Sequence, residues 1–227
     1  MMVVACNTAS ALALEKLKTE FEIPVIGVLE PGAQAAVDIG KARGNGVGKR
    51  IGLIATEATI ASNAYPAAVR RLDPGGGAGG MHVIGRACPL LVPLIEEGRE
   101  NDDPIVRMVL KEYLKPFLDL QVAALILGCT HYPILAPAIA EALGGPGAGL
   151  PLVDSARQTA LVVGERLATM AALRSEATQE GSLTCYVTDQ GQRFERLASR
   201  FLGQPVSQPV WVTPEMLEEV EGSEYRL

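Results

Sequence analysis

Two cysteines stand where an apolar run ends, each with a threonine close behind it. Cys6 closes Val3-Val4-Ala5 and opens Cys6-Asn7-Thr8-Ala9-Ser10. Cys129 closes Ala124-Leu125-Ile126-Leu127-Gly128 and opens Cys129-Thr130-His131-Tyr132-Pro133. Both read as thiols at the C-terminal tip of a buried strand, followed by hydroxyl or amide donors and then a helix. Ligands bind at such tips in an open α/β sheet. A thiol serves proton transfer or nucleophilic attack when its thiolate is accessible, and two of them facing one pocket would be a matched acid and base. Asn7, Thr8 and Thr130 add neutral donors suited to a carboxylate. His131, two residues beyond Cys129, can tune that thiol or relay its proton.

Either cysteine taken alone reads as a small buried hydrophobe, and Cys88 and Cys185 are read that way. Taken together the two motifs reverse the balance, because the order strand, Cys, Thr, helix occurs twice. This implies an internal pseudo-repeat with one thiol from each half. A zinc or thioredoxin-like site is not supported, since there is no C-x-x-C and Cys129-x-His131 is not a usual chelating pair. No metal is expected. A Cys–His hydrolase built on Cys129 and His131 leaves Cys6-Asn7-Thr8 unexplained. The second histidine, His82, has no such chemistry around it.

The elements that must position these groups alternate along the chain. Candidate strands are Val3–Ala5, Val25–Val28, Ile51–Ala55, His82–Gly85, Val122–Leu127, Leu150–Val153, Leu183–Thr188 and Val210–Thr213. One amphipathic helix is expected from Ala9 to Phe21, with Ala9, Ala13, Leu17 and Phe21 at i,i+4 spacing. A second starts at Asp103-Pro104, an N-cap with proline at the first helical position. Others are expected from Ser155 to about Leu173, and from Gln192 to Leu202 with Gly203 as C-cap. The alternation predicts an α/β fold with a mostly parallel sheet and helices on both faces. Gly44–Lys49 fails as a phosphate loop, because it precedes a strand and Lys49 is followed by Arg50. Pro74–Gly80 reads as a surface connector.

The bulk numbers close off other classes. The 227 residues are 48% hydrophobic with a net charge of −6, ordinary for a globular chain and without the clustered Lys and Arg of a nucleic-acid surface. No apolar run approaches the ~20 residues of a membrane helix, and the N-terminus does not read as a signal peptide. Four cysteines in a chain of this length make no disulfide framework, so a reducing cytoplasm is expected.

The two cysteine motifs closely resemble those of the glutamate racemases. Val25-Ile26-Gly27-Val28-Leu29-Glu30-Pro31-Gly32, Cys88-Pro89-Leu90-Leu91-Val92-Pro93-Leu94-Ile95-Glu96 and Val153-Asp154-Ser155-Ala156 extend the similarity to about residue 165. Thr130-His131-Tyr132-Pro133 favours glutamate over aspartate racemases, which carry an acidic residue where His131 stands. The resemblance implies cofactor-independent, two-base racemisation of glutamate, with Cys6 and Cys129 on opposite faces of the α-carbon. It implies Cys129 as the base for L-glutamate and Cys6 for D-glutamate. Asn7, Thr8, Thr130 and His131 then bind or assist the substrate. Glu96 matches an assisting acid, with Glu97 as its neighbouring alternative. The expected role is supply of D-glutamate for peptidoglycan, with a homodimer as the candidate assembly and neither nucleic acid nor membrane as partner. An aspartate or related amino-acid racemase is the alternative substrate reading.

The resemblance also implies two pseudo-symmetric α/β domains, residues 1–30 plus 155–227 and residues 31–154, with the active site in the cleft. Family members carry an Asp-Ser-Gly-type loop and a Pro-Tyr-Gly segment before the first cysteine motif. Here that motif follows Met1-Met2 almost at once. The first domain is therefore expected to lack roughly two βα units and to leave the Cys6 strand as a sheet edge. An impaired chain acting only as a binding protein is the corresponding non-catalytic alternative.

Overall fold

The structure is a computed structural model, describing residues 1–43, 49–74, 80–144, 149–173, 181–189, 191–213 and 215–216. The glycine stretches around 44–48 and 75–79 lie outside the described residues. The chain divides into two compact units, Met1–Leu173 and Arg174–Leu227.

Every ladder in the first unit is parallel, as the alternation of strands and helices predicted. Strand β1 (Met2–Val4) is followed by helices α1 (Asn7–Leu12) and α2 (Leu14–Glu20), and then pairs with β2 (Val25–Gly27). After α3 (Leu29–Arg43) comes a four-stranded sheet of β3 (Arg50–Ala55), β4 (His82–Ala87), β5 (Ala124–Gly128) and β6 (Leu152–Asp154). Its spatial order is β4-β3-β5-β6. The connecting helices are α4 (Glu57–Ala61), α5 (Ala64–Leu72), α6 (Leu91–Glu96), α7 (Pro104–Asp119) and α8 (Ala136–Ala142). A helix α9 (Ser155–Thr169) follows β6 and packs on α3, β2 and β5. Because β4 lies on one side of β3 and β5 on the other, the winding direction reverses between β3 and β5. A crevice opens at such a reversal, outside the carboxyl ends of the strands.

Strand alternation sorts the core to the two faces of this sheet. Leu125 and Leu127 face α6, α7 and α8, where Leu91, Ile95, Leu110, Leu114 and Phe117 are buried. Ala124 and Ile126 face the opposite side, where Ala33, Ala36 and Val37 of α3 meet Tyr65 and Val69 of α5. Residues buried on both faces explain why β5 reads as a continuous apolar run. Each of the larger ones contributes about 1.5–3 kcal/mol by leaving water.

The helix expected from Ala9 to Phe21 is two helices. It breaks at Ala13, whose backbone leaves the helical region at φ −123° and ψ −10°. The break lets Ser10 and Leu14 both press on β2 at Gly27, where an added Cβ would stand 2.7 Å from Leu14 and 3.0 Å from the Ser10 Oγ. Ser10 then bridges the two strand ends, donating to the Val4 carbonyl and accepting from the Val28 N–H. Among the described residues β1 pairs with β2 alone, and Val3 is 44% exposed.

Asp103 caps α7 as expected, its Oδ1 accepting the N–H groups of Ile105 and Val106 at 2.7 and 3.2 Å. Arg99 donates to its other oxygen at 2.8 Å. The guanidinium first, and then these N–H groups, hold the carboxyl below the ordinary carboxylate range. A depressed folded-state value adds stability that is complete above the unfolded value of about 3.9 and is lost as pH falls through the folded one. Asp103→Asn keeps a capping side chain but removes the charge. Its urea midpoint should lie below the parent's at pH 6 and converge with it towards pH 2.

The second unit holds the parallel pair β7 (Tyr186–Val187) and β8 (Val210–Trp211), joined through α10 (Gly191–Leu202). Gly203 adopts φ +67°, as the expected C-cap requires. Cys185 is half-buried rather than buried, because it precedes this two-stranded ladder instead of lying inside a covered sheet.

Candidate active site

Both motif cysteines sit at the carboxyl ends of strands. Cys129 follows β5 directly and is 7% exposed. Gly128 before it allows close approach of β3, since a Cβ there would stand 2.7 Å from Leu53 Cδ1 and 3.0 Å from the Ile54 carbonyl oxygen. Cys6 follows β1 by one residue, is exposed, and is the N-cap of α1, its Sγ accepting the Ala9 N–H at 3.4 Å.

A hydrogen-bonded line runs back from Cys129. Its Sγ lies 3.8 Å from His131 Nδ1, and His131 Nε2 lies 3.1 Å from Glu96 Oε1 at the end of α6. With Nε2–H donated to Glu96, a neutral ring presents Nδ1 as an acceptor towards the thiol. Of the two adjacent acids it is Glu96 that meets the ring, while Glu97 is exposed. Tyr132 anchors the segment from below, its hydroxyl donating to the Cys88 carbonyl at 3.0 Å.

Burial pushes the Cys129 thiol above the ordinary thiol range. The His131 backbone N–H opposes the rise, negative charge on Cys6 adds to it, the Thr130 hydroxyl opposes it, and Glu96 adds a smaller part. The two motif thiols stand at the carboxyl ends of strands in different sheets. Cys88 differs: it is fully buried, desolvation pushes it up to about 12, and it stays an inert thiol as the sequence suggested.

Three hydroxyls gather at Thr8, two residues beyond Cys6. Thr8 Oγ1 lies 2.9 Å from Thr56 Oγ1 and 3.0 Å from Thr59 Oγ1, and the last two are 3.0 Å apart. Thr56 caps α4 at the carboxyl end of β3, so the cluster stands at the reversal point of the sheet. The sequence reading missed Thr56 and Thr59. The available signal was a threonine cap immediately after the apolar run Ile51–Ala55, the same pattern that marked the cysteines. Asn7 is buried, with Tyr65 donating to its Oδ1 at 2.7 Å. Elsewhere, an apolar pocket of about 350 Å³ between α2, β2 and α3 is lined by Leu14, Val25, Ile26 and Pro31, and by neither motif cysteine. Among the described residues no three His, Cys, Asp or Glu side chains converge as a metal site would need. None of the helices there is long and apolar enough to cross a membrane.

The family model described as Asp/Glu/hydantoin racemase matches residues 1–162. The chain belongs to this family. Within this racemase family, glutamate racemase of Geobacter metallireducens is 42% identical over 203 residues, covering 89% of the chain and 69% of the relative. Glutamate racemase of Aquifex aeolicus is 44% identical over 206 residues, covering 91% and 70%. The crystal structure of glutamate racemase from Francisella tularensis in complex with D-glutamate superimposes with a TM-score of 0.78 at 33% identity, covering 93% of this chain and 72% of that one. The chain thus spans about seven tenths of the length of these family members.

Proposed function

We propose that this protein interconverts L- and D-glutamate, without a cofactor, through Cys6 and Cys129. The observation carrying the reading is the pair of motif thiols, each at the carboxyl end of a parallel strand and each followed closely by a threonine, in a chain related to glutamate racemases. In this mechanism one thiolate takes the α-proton, and the thiol on the opposite face gives its proton to the α-carbon. The first sulfur ends as a thiol and the second as a thiolate, so each turnover leaves the pair inverted. Proton transfer requires each group within hydrogen-bond reach of the carbon it serves. Thr8 and Thr130 hold the carboxylate on which charge develops, and Asn7 assists from behind them through its bonds to Tyr65 and Ser155. His131, oriented by Glu96, manages the proton of Cys129. The product would be D-glutamate for peptidoglycan, made in the cytoplasm, with a homodimer as assembly. The division into residues 1–30 with 155–227 and residues 31–154 belongs to the same proposal.

The test follows α-proton exchange in deuterated water for L-glutamate, D-glutamate, L-aspartate and D-aspartate. Exchange of both glutamate enantiomers at similar rates is expected, with aspartate far slower. Faster exchange of aspartate, or none of glutamate, would overturn the substrate assignment. The pH profile supplies a further expectation. Because burial raises the Cys129 thiol, its thiolate is a minor form at neutral pH. That form grows about tenfold per pH unit below the thiol's own value. The kcat/KM for L-glutamate should therefore climb steeply from pH 7 to pH 8, and a flat profile would remove Cys129 as the ionising base.

A further inference from the structure

The strand-end motifs are tied together by a buried chain of side chains that takes no part in the proton transfers. Tyr65 of α5 is fully buried, and burial holds its phenol protonated. Its hydroxyl donates to Asn7 Oδ1 at 2.7 Å. The Asn7 amide donates in turn to Ser155 Oγ at 3.3 Å, and the Ser155 hydroxyl donates to the Leu127 carbonyl at 3.2 Å. Every link has a defined direction, donor to acceptor, from Tyr65 to the strand that carries Cys129. Asn7 is the residue after Cys6, and Leu127 stands two before Cys129. The line thus joins α1, α5, the start of α9 and β5 within a few bonds of both sulfurs.

Helix α3 seals this line. An added Cβ at Gly32 would stand 3.1 Å from Ser155 Cβ and 3.3 Å from the Tyr65 hydroxyl oxygen. Asn7 and Ser155 are each 2% exposed. In so dry a site an unmade hydrogen bond is costly and a made one is geometrically stiff. Tyr65 has no exposed surface, so its hydroxyl is not open to direct binding of a substrate.

We propose that Tyr65, acting through Asn7 and Ser155, is a positioning residue that fixes the placement of Cys6 relative to Cys129. This rests on the two-thiol reading above. Racemisation needs both sulfurs on opposite faces of one carbon, and a misplacement of about 1 Å can cost ~100-fold in rate. A tie between α1 and β5 supplies that constraint where no backbone ladder joins the two sheets among the described residues.

The test uses Tyr65→Phe, which removes one oxygen, with Ser155→Ala as a second variant that breaks the same line elsewhere, both in the 227-residue chain. Each should lower kcat about tenfold or more with KM within about twofold of the parent. The double variant should lose little beyond the worse single one, as expected for residues acting as a unit. Parental kcat in either folded variant, a change confined to KM, or multiplicative losses would overturn the proposal. A readout independent of turnover separates it from the function itself: iodoacetamide alkylation of Cys6 and Cys129, resolved by mass spectrometry. The ratio of the two rates should shift at least threefold in Tyr65→Phe, and an unchanged ratio would overturn the tie. An inactive parent whose ratio still shifts would sink the racemase reading and leave the tie standing.

Discussion

Cys6→Ser and Cys129→Ser should each abolish racemisation while leaving the fold intact. Serine is nearly the same size as cysteine, Cys6 is exposed, and Cys129, although buried against the helix-covered core, gives up only a sulfur for an oxygen, so neither change opens a sizeable cavity. The chemical loss is large, because an alcohol is a far weaker acid than a thiol and no longer matches the partner sulfur. General acid–base contributions of about 10²- to 10⁴-fold set the scale for losing one member of the pair. The two variants should nevertheless differ. Cys129→Ser keeps the base assigned to D-glutamate and should retain slow α-deuterium exchange of that enantiomer alone. Cys6→Ser should retain exchange of L-glutamate alone. Parental racemisation in either variant would end the two-base reading, and the same surviving enantiomer in both would end the assignment of faces.

Gly128→Ala is expected to be nearly as damaging, through packing. The methyl group would meet Leu53 Cδ1 at 2.7 Å, the Ile54 carbonyl oxygen at 3.0 Å and Ala55 Cβ at 3.1 Å. Leu53 can rotate away, but the carbonyl belongs to β3, which is held by β4 on one side and β5 on the other. Overpacking of this kind costs about 1–3 kcal/mol, and the displaced residue is the neighbour of Cys129. Urea unfolding should show the stability loss, and racemisation should fall further than stability explains. The control is Gly164→Ala in α9, where a Cβ would meet nothing within 4 Å and alanine should stabilise by about 0.5–1 kcal/mol. Parental stability in Gly128→Ala would contradict the close approach of β3 and β5.

The parts of the molecule that could be read from residues alone were those encoded locally. The apolar run before Cys129, the Asp103-Pro104 cap and Gly203 each announce themselves within a few positions, and each forms as expected. Strand limits drifted by one to three residues because ladder partners, not composition, decide where pairing stops: β5 runs to Gly128 since Ala55 on β3 is there to pair with it. The break at Ala13 was invisible, because it answers to Gly27 on another element. For the same reason Thr59 and Tyr65 were not singled out, and Ser155 was read only as a helix start within a family-like segment. Their meaning comes from convergence across elements far apart in the chain.

That convergence has a consequence for how the protein is made. Strand β3 can pair with β4 as a neighbouring βαβ unit, but Ile51 must wait for Ala124 before its second side is satisfied. The bond from Asn7 to Ser155 spans 148 residues. Contacts so distant pay their loop-closure entropy before they return anything, and they form slowly. During synthesis Cys6 therefore leaves the ribosome as an exposed thiol on an unfinished fragment. It gains its counterpart and its tether only when most of the chain has followed. On the two-thiol reading, the proposed site is complete only once β5 and the start of α9 have been made.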